Sequence, residues 1–167
     1  VASRRSYCGI GTLFNQVLLG FKKRGFGMNK WNGFGGKVEA NETIIDAAAR
    51  ELKEECCVTV KPRDLKNVAH LEFTFEGDPV MMDVRVFTTN IFEGIPQETD
   101  EMRPKWFNLD DIPYDNMWPD DKMWYPLIRL AFDKIIHIPG CTFNDDLTQE
   151  KNYIHFHQNE MTVKTGL

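Results

Sequence analysis

The chain has 167 residues and a mass of 19.4 kDa, which is long enough for one domain with a sizeable hydrophobic core. A hydrophobic content of 42 %, with 12 % aromatic residues, excludes an intrinsically disordered chain. The formal net charge of −5 disfavours long RNA or DNA as a partner, because such a partner favours a basic face. It allows a small phosphate substrate whose charge metal ions neutralise.

The cysteines favour a reducing compartment. Two of them are adjacent and none has the spacing of a zinc ligand set, so we expect free thiols at Cys8, Cys56, Cys57 and Cys141. The sequence shows no membrane-spanning run and no secretory signal, so we expect no membrane partner and a cytoplasmic location, with mitochondria and nucleus as alternatives. We also expect a monomer. Because the chain starts at Val1, a targeting segment ahead of it stays open.

The first part of the chain predicts strands over residues 6–14 and 17–21, joined by a turn at residues 15–16, and a short strand over residues 31–36. Between them lies a basic, glycine-containing loop at residues 22–27. Such a loop is either a solvated turn or a contact for phosphate and base, and the acidic helix that follows favours contact.

A helix is predicted over residues 43–56, where Thr43 and Asp46 have the spacing of a capping box. Its last turns place Glu51, Glu54 and Glu55 on one face, because side chains three and four residues apart are neighbours on a helix. Three like charges repel each other, and Mg²⁺ would relieve this repulsion because hard cations prefer carboxylate oxygens. The alternative is an ordinary solvated charged face.

The second part of the chain predicts a mixed set of elements. Strands are predicted over residues 58–60, 68–75, 80–90 and 105–108, with turns at 76–79 and 109–113 and loops at 62–64 and 93–100. A second helix opens at Trp118 with Pro119 in its first turn, and its apolar stripe comprises Met123, Trp124, Leu127, Ile128, Ala131 and Ile135. Two further strands are expected near 141–143 and 153–157, with a turn at 144–146, and residues after about 158 are expected to be disordered. We therefore predict a single α/β domain over residues 1–167, with a mixed sheet flanked by two main helices.

The glutamate helix and the loop before it carry a longer pattern. Gly36, Glu42 and the run from Arg50 to Glu55, followed by Cys57 and Val58, resemble the Nudix box. Cys57 departs from the pattern, which has glycine there to allow a left-handed cap, and this should cost roughly 1 kcal/mol. Residues 22–27, 31–38, 82–84, 100–104 and 117–121 are similar to the animal MutT-like members of the same family.

This resemblance implies a Nudix α/β/α sandwich and a hydrolase that depends on Mg²⁺, with Mn²⁺ as a possible substitute. It implies that oxidised purine nucleoside triphosphates such as 8-oxo-dGTP and 2-oxo-dATP are cleaved to the monophosphate and pyrophosphate, which sanitises the nucleotide pool. The metals would be held by the Gly35 carbonyl, Glu51, Glu54, Glu55 and Glu101. Arg50 would orient the glutamates, and Glu54 and Glu55 are given only a joint role in activating water.

Substrate recognition requires a flat apolar slot with a few placed polar groups. By resemblance, Lys22 lies near the substrate and Asn32, Trp118, Asp120 and Asp121 lie near the base. The further candidate substrate contacts are Phe26, Phe34, Gly35, Gly36, Lys37, Phe73, Met82, Met102 and Pro119. For Phe26, Phe73, Met82 and Met102 an ordinary core position is the alternative.

The adjacent aspartates have two interpretations. If both turn inward beside an apolar slot, burial and repulsion raise a pKa, so that one is protonated and the pair both donates and accepts hydrogen bonds. Alternatively, Asp120 and Asp121 simply begin a helix, where acidic residues are favoured.

Other functions stay open beside this one. A Nudix hydrolase could act on O6-methyl-dGTP, N6-methyl-dATP, ADP-ribose or a capped nucleotide, and a Nudix-like module could bind without catalysis. The run of residues 118–121 favours a modified purine, and the intact Arg50, Glu51, Glu54 and Glu55 disfavour a binding module.

Overall fold

The structure, a computed structural model, describes residues 3–13, 15–75, 78–128, 135–143, 149–151, 156–157 and 160–162, and the side chains of residues 15–73 and 79–127. The helices and strands are β1 (Ser3–Leu13), β2 (Gln16–Lys22), β3 (Trp31–Asn32), α1 (Ile44–Cys56), β4 (Lys66–Phe75), β5 (Asp78–Thr89), β6 (Met102–Asn108), α2 (Asp121–Ile128), β7 (Ile135–Phe143), β8 (Gln149–Lys151), β9 (Phe156–His157) and β10 (Glu160–Thr162). Short 3₁₀ turns lie at Pro62–Asp64 and Tyr114–Asn116. Within these ranges, no helix has the length and apolar character needed to cross a membrane.

The strands form one mixed sheet in the order β3-β2-β1-β5-β4-β7-β10-β9, with β6 paired to β2 and β8 paired to β7. The pair β1 and β5 and the pair β4 and β7 are parallel, whereas β4 and β5 form an antiparallel pair. One edge of β2 pairs with β6 along its whole length, from Gln16 opposite Asn108 to Lys22 opposite Met102. This register brings the end of β2 to the start of β6.

The two helices cover opposite faces of the sheet. Successive residues of a strand point to opposite faces, and in β2 Val17 and Leu19 belong to one buried cluster while Leu18 belongs to another. The first cluster includes Trp124 of α2, and the second includes Leu52 of α1. The expected mixed sheet flanked by two main helices is therefore confirmed.

Helix α1 begins and ends as its sequence predicts. The Thr43 hydroxyl accepts the Asp46 main-chain N–H at 3.2 Å and donates to the Asp46 carboxylate, a variant of the capping box. At the other end Cys57 has φ 62°, and its N–H donates to the Lys53 carbonyl at 3.0 Å. The left-handed cap is therefore kept with a residue that has a Cβ.

Two short strands are predicted too long. The segment predicted over 31–36 forms a strand only at Trp31–Asn32, because the chain then turns towards α1 and buries Phe34 completely. The segment predicted over 58–60 forms a single bridge between Thr59 and Glu93, because no strand runs beside it in the described residues.

The second helix is shorter than predicted. It begins at Asp121, so Pro119 precedes it, and Pro126 lies inside it. Ile135 lies in β7 and not on the helix, while Ala131 lies outside the described residues. Glu160–Thr162 forms a strand where disorder was expected, because it pairs in parallel with residues 135–137 of β7. Of the turn predicted at 76–79, residues 76–77 lie outside the described residues and Asp78 and Pro79 lie in β5. The predicted turn at 144–146 and the segment 163–167 also lie outside the described residues, and a single domain over the whole chain stays a prediction.

Candidate active site

A lysine at the end of β2 joins two carboxylates that lie far apart in the sequence. The Lys22 ammonium donates to Glu55 Oε1 at 2.9 Å and to Glu101 Oε1. Glu55 comes from the last turn of α1, and Glu101 directly precedes β6. Because β2 and β6 pair at Lys22 and Met102, the sheet itself delivers Glu101 to the end of α1.

The glycine-rich segment at residues 33–36 lies directly against α1. The Gly35 N–H donates to the second oxygen of Glu55, Oε2, at 2.8 Å. A Cβ placed on Gly36 would lie only 2.5 Å from Glu51 Oε1, so a side chain there would displace the glutamate. A residue without a Cβ is therefore required where the loop crosses Glu51.

A single arginine organises the outer side of the helix. Arg50 donates to both oxygens of Glu42, at 2.8 and 3.1 Å, and also to Glu51 and Glu54 at 3.0 Å each. It also reaches the Lys37 carbonyl at 3.4 Å. The fixed fork geometry of a guanidinium suits this multiple contact. The side chain predicted to orient the glutamates thus contacts two of them.

We call Glu51, Glu54, Glu55 and Glu101 the glutamate cluster. Burial, together with the charges of Glu55, Glu54 and Glu101, raises the pKa of Glu51 to about 7. Burial also raises the pKa of Glu55, although Lys22 opposes this effect. The hydrogen bond from Lys22 instead lowers the pKa of Glu101. Three cations pair with these four carboxylates: Lys22, Arg50 and, at 3.6 Å from Glu101, Arg24. The cluster therefore keeps a net negative charge.

The donor chemistry of the cluster fits a hard divalent cation. Carboxylate and carbonyl oxygens are the ligands that Mg²⁺ and Mn²⁺ accept. Burial and then repulsion from the other glutamates raise the Glu51 pKa, and a cation would relieve the repulsion. In the described part of the chain, no three carboxylate, histidine or cysteine side chains converge as a preformed metal site. Instead, the ammonium of Lys22 lies between Glu55 and Glu101, and the guanidinium of Arg50 lies between Glu51 and Glu54.

A second group of site residues surrounds Trp118. Its ring stacks on Phe26 with ring centroids 5.1 Å apart and planes inclined by 26°, and Lys30 Nζ lies 5.4 Å from the ring centroid. A Cβ on Gly27, which has φ 81°, would lie 3.3 Å from the indole. In this structure Trp118 stacks on Phe26, which is 64 % exposed, so the stacking of a base on Trp118 stays a prediction.

Asp120 and Asp121, which we call the aspartate pair, turn into the protein with exposures of only 4 % and 3 %. The Trp124 indole N–H donates to Asp120 Oδ2 at 3.1 Å, and the Trp118 N–H donates to Asp121 Oδ2 at 3.0 Å. Burial raises the pKa of Asp120 to about 6, and burial together with the charge of Asp120 raises that of Asp121 well above its usual range. Both aspartates therefore turn inward, as the first of the two interpretations requires. Asp121 also begins α2, so both interpretations of this pair apply.

Other predicted contacts divide between surface and core. Phe34 and Met102 are fully buried in the core beneath α1, which favours a packing role for both, and Phe73 and Met82 pack against the core on the α2 side. Asn32 is half-buried and its Oδ1 accepts the Gly33 N–H at 2.9 Å, which leaves its amide group available. Lys37 is exposed and Pro119 is half-buried beside the aspartate pair.

The hairpin loop between β2 and β3 connects the two groups. Main-chain hydrogen bonds of 2.9 Å join Lys22 N to the Lys30 carbonyl and Asn29 N to the Lys22 carbonyl, and these bonds close the loop. One end of the hairpin thus contacts the glutamate cluster through Lys22, and the other end contacts Trp118 through Lys30.

Comparison with known proteins shows the family of the chain. The NUDIX domain model matches residues 10–128. The chain belongs to the NUDIX family. It is a Nudix hydrolase, an enzyme that acts on phosphoanhydride bonds. The site residues described above lie within the matched range.

Relatives and solved structures resemble this Nudix hydrolase to different degrees. The oxidized purine nucleoside triphosphate hydrolases of Mus musculus and Danio rerio are each 53 % identical over 113 residues, covering 68 % of this chain and 71 % of each relative. The MutT protein from Bacillus halodurans is 25 % identical with a TM-score of 0.75, covering 87 % of this chain and 94 % of that one. A Nudix hydrolase from Nitrosomonas europaea, 18 % identical with a TM-score of 0.63 over 87 % of this chain and 81 % of its own, shows the fold alone.

Several contacts of this Nudix hydrolase escaped sequence reasoning. Lys30 beside Trp118 and Trp124 beside Asp120 depend on tertiary packing, and no spacing indicated either contact. Glu42 stood in the Nudix box, so its ion pair with Arg50 could have been inferred from that pattern. The Thr99 hydroxyl accepts the Glu101 N–H. A hydroxyl two residues before Glu101 could have indicated this contact, but the segment was interpreted only as a polar loop.

Proposed function

We propose that this Nudix hydrolase cleaves oxidised purine nucleoside triphosphates, such as 8-oxo-dGTP and 2-oxo-dATP, to the monophosphate and pyrophosphate with Mg²⁺. The observation that carries the proposal is the aspartate pair, buried behind Trp118 with one oxygen unused. Asp120 Oδ1 is buried and has no hydrogen-bond partner among the residues that the structure describes. A buried polar atom without a partner is costly, so a ligand group that bonds to it gains affinity.

The protonation of the pair suits a purine edge. Two adjacent buried carboxyls do not both ionise readily, so one retains a proton near neutral pH. The protonated carboxyl donates a hydrogen bond and the ionised one accepts, as the mixed donors and acceptors of a purine edge require. A pair that exchanges these roles can accept more than one oxidised purine.

The phosphate side of the reaction belongs to the glutamate cluster. Glu51, Glu54, Glu55, Glu101 and the Gly35 carbonyl would hold Mg²⁺, for which Mn²⁺ could substitute, and a bound metal supplies neutralisation of phosphate charge and a more acidic water. Arg50 orients Glu51 and Glu54, and Glu54 and Glu55 remain joint candidates for taking the proton from the attacking water. Lys22 lies beside Glu55, where an ammonium can also contact a substrate phosphate.

The relatives support the same substrate class, because the mouse and zebrafish proteins are named for the hydrolysis of oxidized purine nucleoside triphosphates. O6-methyl-dGTP and N6-methyl-dATP are the nearest alternatives, since either is a modified purine triphosphate. The free thiols of Cys56 and Cys57 support a reducing compartment such as the cytoplasm. A monomeric state stays a prediction.

A nucleotide panel tests the proposal. Steady-state kinetics with Mg²⁺ would compare 8-oxo-dGTP, 2-oxo-dATP, O6-methyl-dGTP, N6-methyl-dATP, dGTP and ADP-ribose. We expect kcat/KM for 8-oxo-dGTP to exceed that for dGTP by at least about tenfold, because a single well-made buried hydrogen bond is worth that much. Equal kcat/KM for these two nucleotides would contradict the proposal.

The variant Asp120→Asn sharpens the panel. Asparagine keeps the shape and can still accept the Trp124 N–H, but it cannot exchange a proton with Asp121. We expect the preference for 8-oxo-dGTP over dGTP to fall about tenfold, whereas Asp115→Asn, an exposed aspartate on the preceding 3₁₀ turn, should leave it unchanged. An unchanged ranking and pH profile in Asp120→Asn would exclude the pair as the base-reading group.

A further inference from the structure

Hydrogen bonds of Thr99 connect two segments of the glutamate cluster, and the reaction chemistry does not by itself explain them. Glu55 and Glu101 lie on separate segments, α1 and the loop before β6, and the side chain of Thr99 lies between their main chains. The Thr99 hydroxyl donates to the Glu55 carbonyl at 3.1 Å and accepts the Glu101 N–H at 3.3 Å. One oxygen atom therefore connects the backbones of two carboxylate residues.

The same hydroxyl also fixes the turn that carries Glu101. It accepts the Met102 N–H at 3.1 Å, while the Thr99 N–H donates to the Met102 carbonyl at 2.9 Å. Met102 is 1 % exposed and begins β6, so this turn is anchored in the core. Asp100 and Glu101 are thus held at the tip of a closed turn whose position is set by Thr99.

The loop caps the end of α1 as well. The last carbonyls of a helix have no partner inside the helix, and here the Glu55 carbonyl is bonded by Thr99 and the Cys56 carbonyl by the Gln97 N–H at 3.0 Å. Lys23 closes the arrangement from β2, because its N–H donates to the Glu101 carbonyl at 2.8 Å and its ammonium to the Thr99 carbonyl at 2.7 Å. Three elements therefore meet at residues 97–101.

We infer that Thr99 is a positioning residue that sets Glu101 against the carboxylates of α1, so that one divalent cation can be shared between them. The inference rests on the proposed function for the identity of the cation site, but it concerns a residue that is not one of the expected cation ligands. Groups that hold ligands in place through hydrogen bonds typically change metal affinity or activity by 10- to 100-fold when they are lost.

The test is Thr99→Val, which keeps the shape of the side chain and removes its hydroxyl, with Thr99→Ser as the conservative variant. Direct Mn²⁺ binding to the substrate-free protein, followed by the EPR signal of free Mn²⁺, gives a readout that does not depend on turnover. We expect Thr99→Val to weaken Mn²⁺ binding about tenfold and to raise the Mg²⁺ concentration for half-maximal activity similarly. Thr99→Ser should remain within about twofold of the natural protein, because it retains the hydroxyl.

A double-mutant cycle separates positioning from general stability. If Thr99 acts through Glu101, then Thr99→Val should add nothing to the loss caused by Glu101→Gln, whereas independent effects would add. The matched control is Thr89→Val. The Thr89 hydroxyl also bonds its own turn, donating to the Ile91 carbonyl at 3.1 Å and accepting the Ile91 N–H at 3.0 Å, but it lies outside the cluster. This control should leave Mn²⁺ affinity unchanged.

Unchanged Mn²⁺ affinity in a folded Thr99→Val variant, with only a lower melting temperature, would overturn the inference and leave Thr99 as a helix cap. If that variant does not fold, Lys23→Met replaces it. Lys23→Met removes the exposed ammonium that holds the Thr99 carbonyl, and unchanged affinity there would overturn the inference equally. These outcomes are distinct from failure of the proposed function, which equal hydrolysis of dGTP and 8-oxo-dGTP would reveal in the natural protein.

Discussion

The glutamate cluster and the aspartate pair place acidic side chains in opposite environments. Glu55 and Glu101 share the ammonium of Lys22, and Glu51 and Glu54 share the guanidinium of Arg50. The aspartate pair is buried against Trp124 and Trp118, from which it receives neutral N–H donors. Burial raises the pKa of Asp121, and the charge of Lys30 opposes this rise without cancelling it. A carboxylate that exchanges one cation for another keeps its charge, whereas a buried carboxyl without a cation holds its proton more strongly.

Under the proposed function, this difference would let one small protein bind the two ends of a nucleotide in different ways. Phosphates require concentrated positive charge, which carboxylates collect by holding cations. A base is neutral, and a hydrogen-bonding pair in an apolar setting can read it by the positions of its donors and acceptors.

The largest effect is expected at the glutamate cluster. Glu55→Gln should lower kcat by about 10³-fold. Lys22 and the Gly35 N–H donate to different oxygens of Glu55, whereas an amide has only one oxygen and does not bind a cation as a carboxylate does. Steady-state hydrolysis of 8-oxo-dGTP with Mg²⁺ measures the loss. Glu93→Gln, at an exposed bridge residue, is the control and should keep full activity. A loss smaller than tenfold would remove Glu55 from the catalytic machinery.

The second effect is the pH dependence that the aspartate pair gives to the free energy of unfolding of the protein. The folded pKa of Asp120, about 6, lies above its ordinary value of 3.8, so the folded state binds the proton more tightly than the unfolded state. The contribution of this group to the free energy of unfolding is therefore fully present below about pH 4 and is lost as the pH rises through about 6. Asp121 shifts in the same direction.

Urea unfolding between pH 4 and pH 8 measures this contribution. Asp120→Asn is the reference, because the other carboxyls titrate in both proteins and their effect cancels in the difference. We expect the natural protein to lose on the order of 2 kcal/mol relative to Asp120→Asn across that range. A difference between the two proteins that stays constant with pH would show that burial does not shift the titration of the pair.

The smallest effect is expected at the end of the glutamate helix. Cys57→Gly should raise the free energy of unfolding by about 0.5–1 kcal/mol, because Cys57 has φ 62° and glycine adopts that conformation without a Cβ clash. Denaturant unfolding measures the gain, with Cys56→Ala as a contrast that should destabilise the buried side of the helix. Hydrolysis should be unchanged, and a changed kcat would mean that this cap helps to position the glutamate cluster.

Much of the site was predictable because its determinants are local. The spacing of Glu51, Glu54 and Glu55 fixes one helical face whatever the rest of the chain does, and Thr43 and Cys57 mark the ends of that helix within one residue. The Nudix box adds Gly36, whose lack of a Cβ is needed only because Glu51 lies against it. Such patterns can be recognised in the sequence because a helix brings together residues that are three and four apart in the chain.

Long-range contacts were predicted less well. Phe34 and Met102 were candidate substrate contacts, with a core position as the alternative for Met102. The turn after β3 and the pairing of β6 with β2 bury both beneath α1, which the sequence did not predict for Phe34. The stacking of Trp118 on Phe26 joins residues from separate loops. No periodicity encodes these contacts, because they depend on which strands become neighbours.

The sequence by itself determined the acidic helix, its caps and the family, since each depends on residues close together in the chain. Only the tertiary structure decided that Lys22 bridges Glu55 and Glu101, that Thr99 joins their main chains, and that the aspartate pair turns inward against Trp124. The physical reason is the same for all three. Each depends on the pairing of distant strands or the packing of a helix on the sheet, and the burial that results sets which hydrogen bonds and charges the side chains meet.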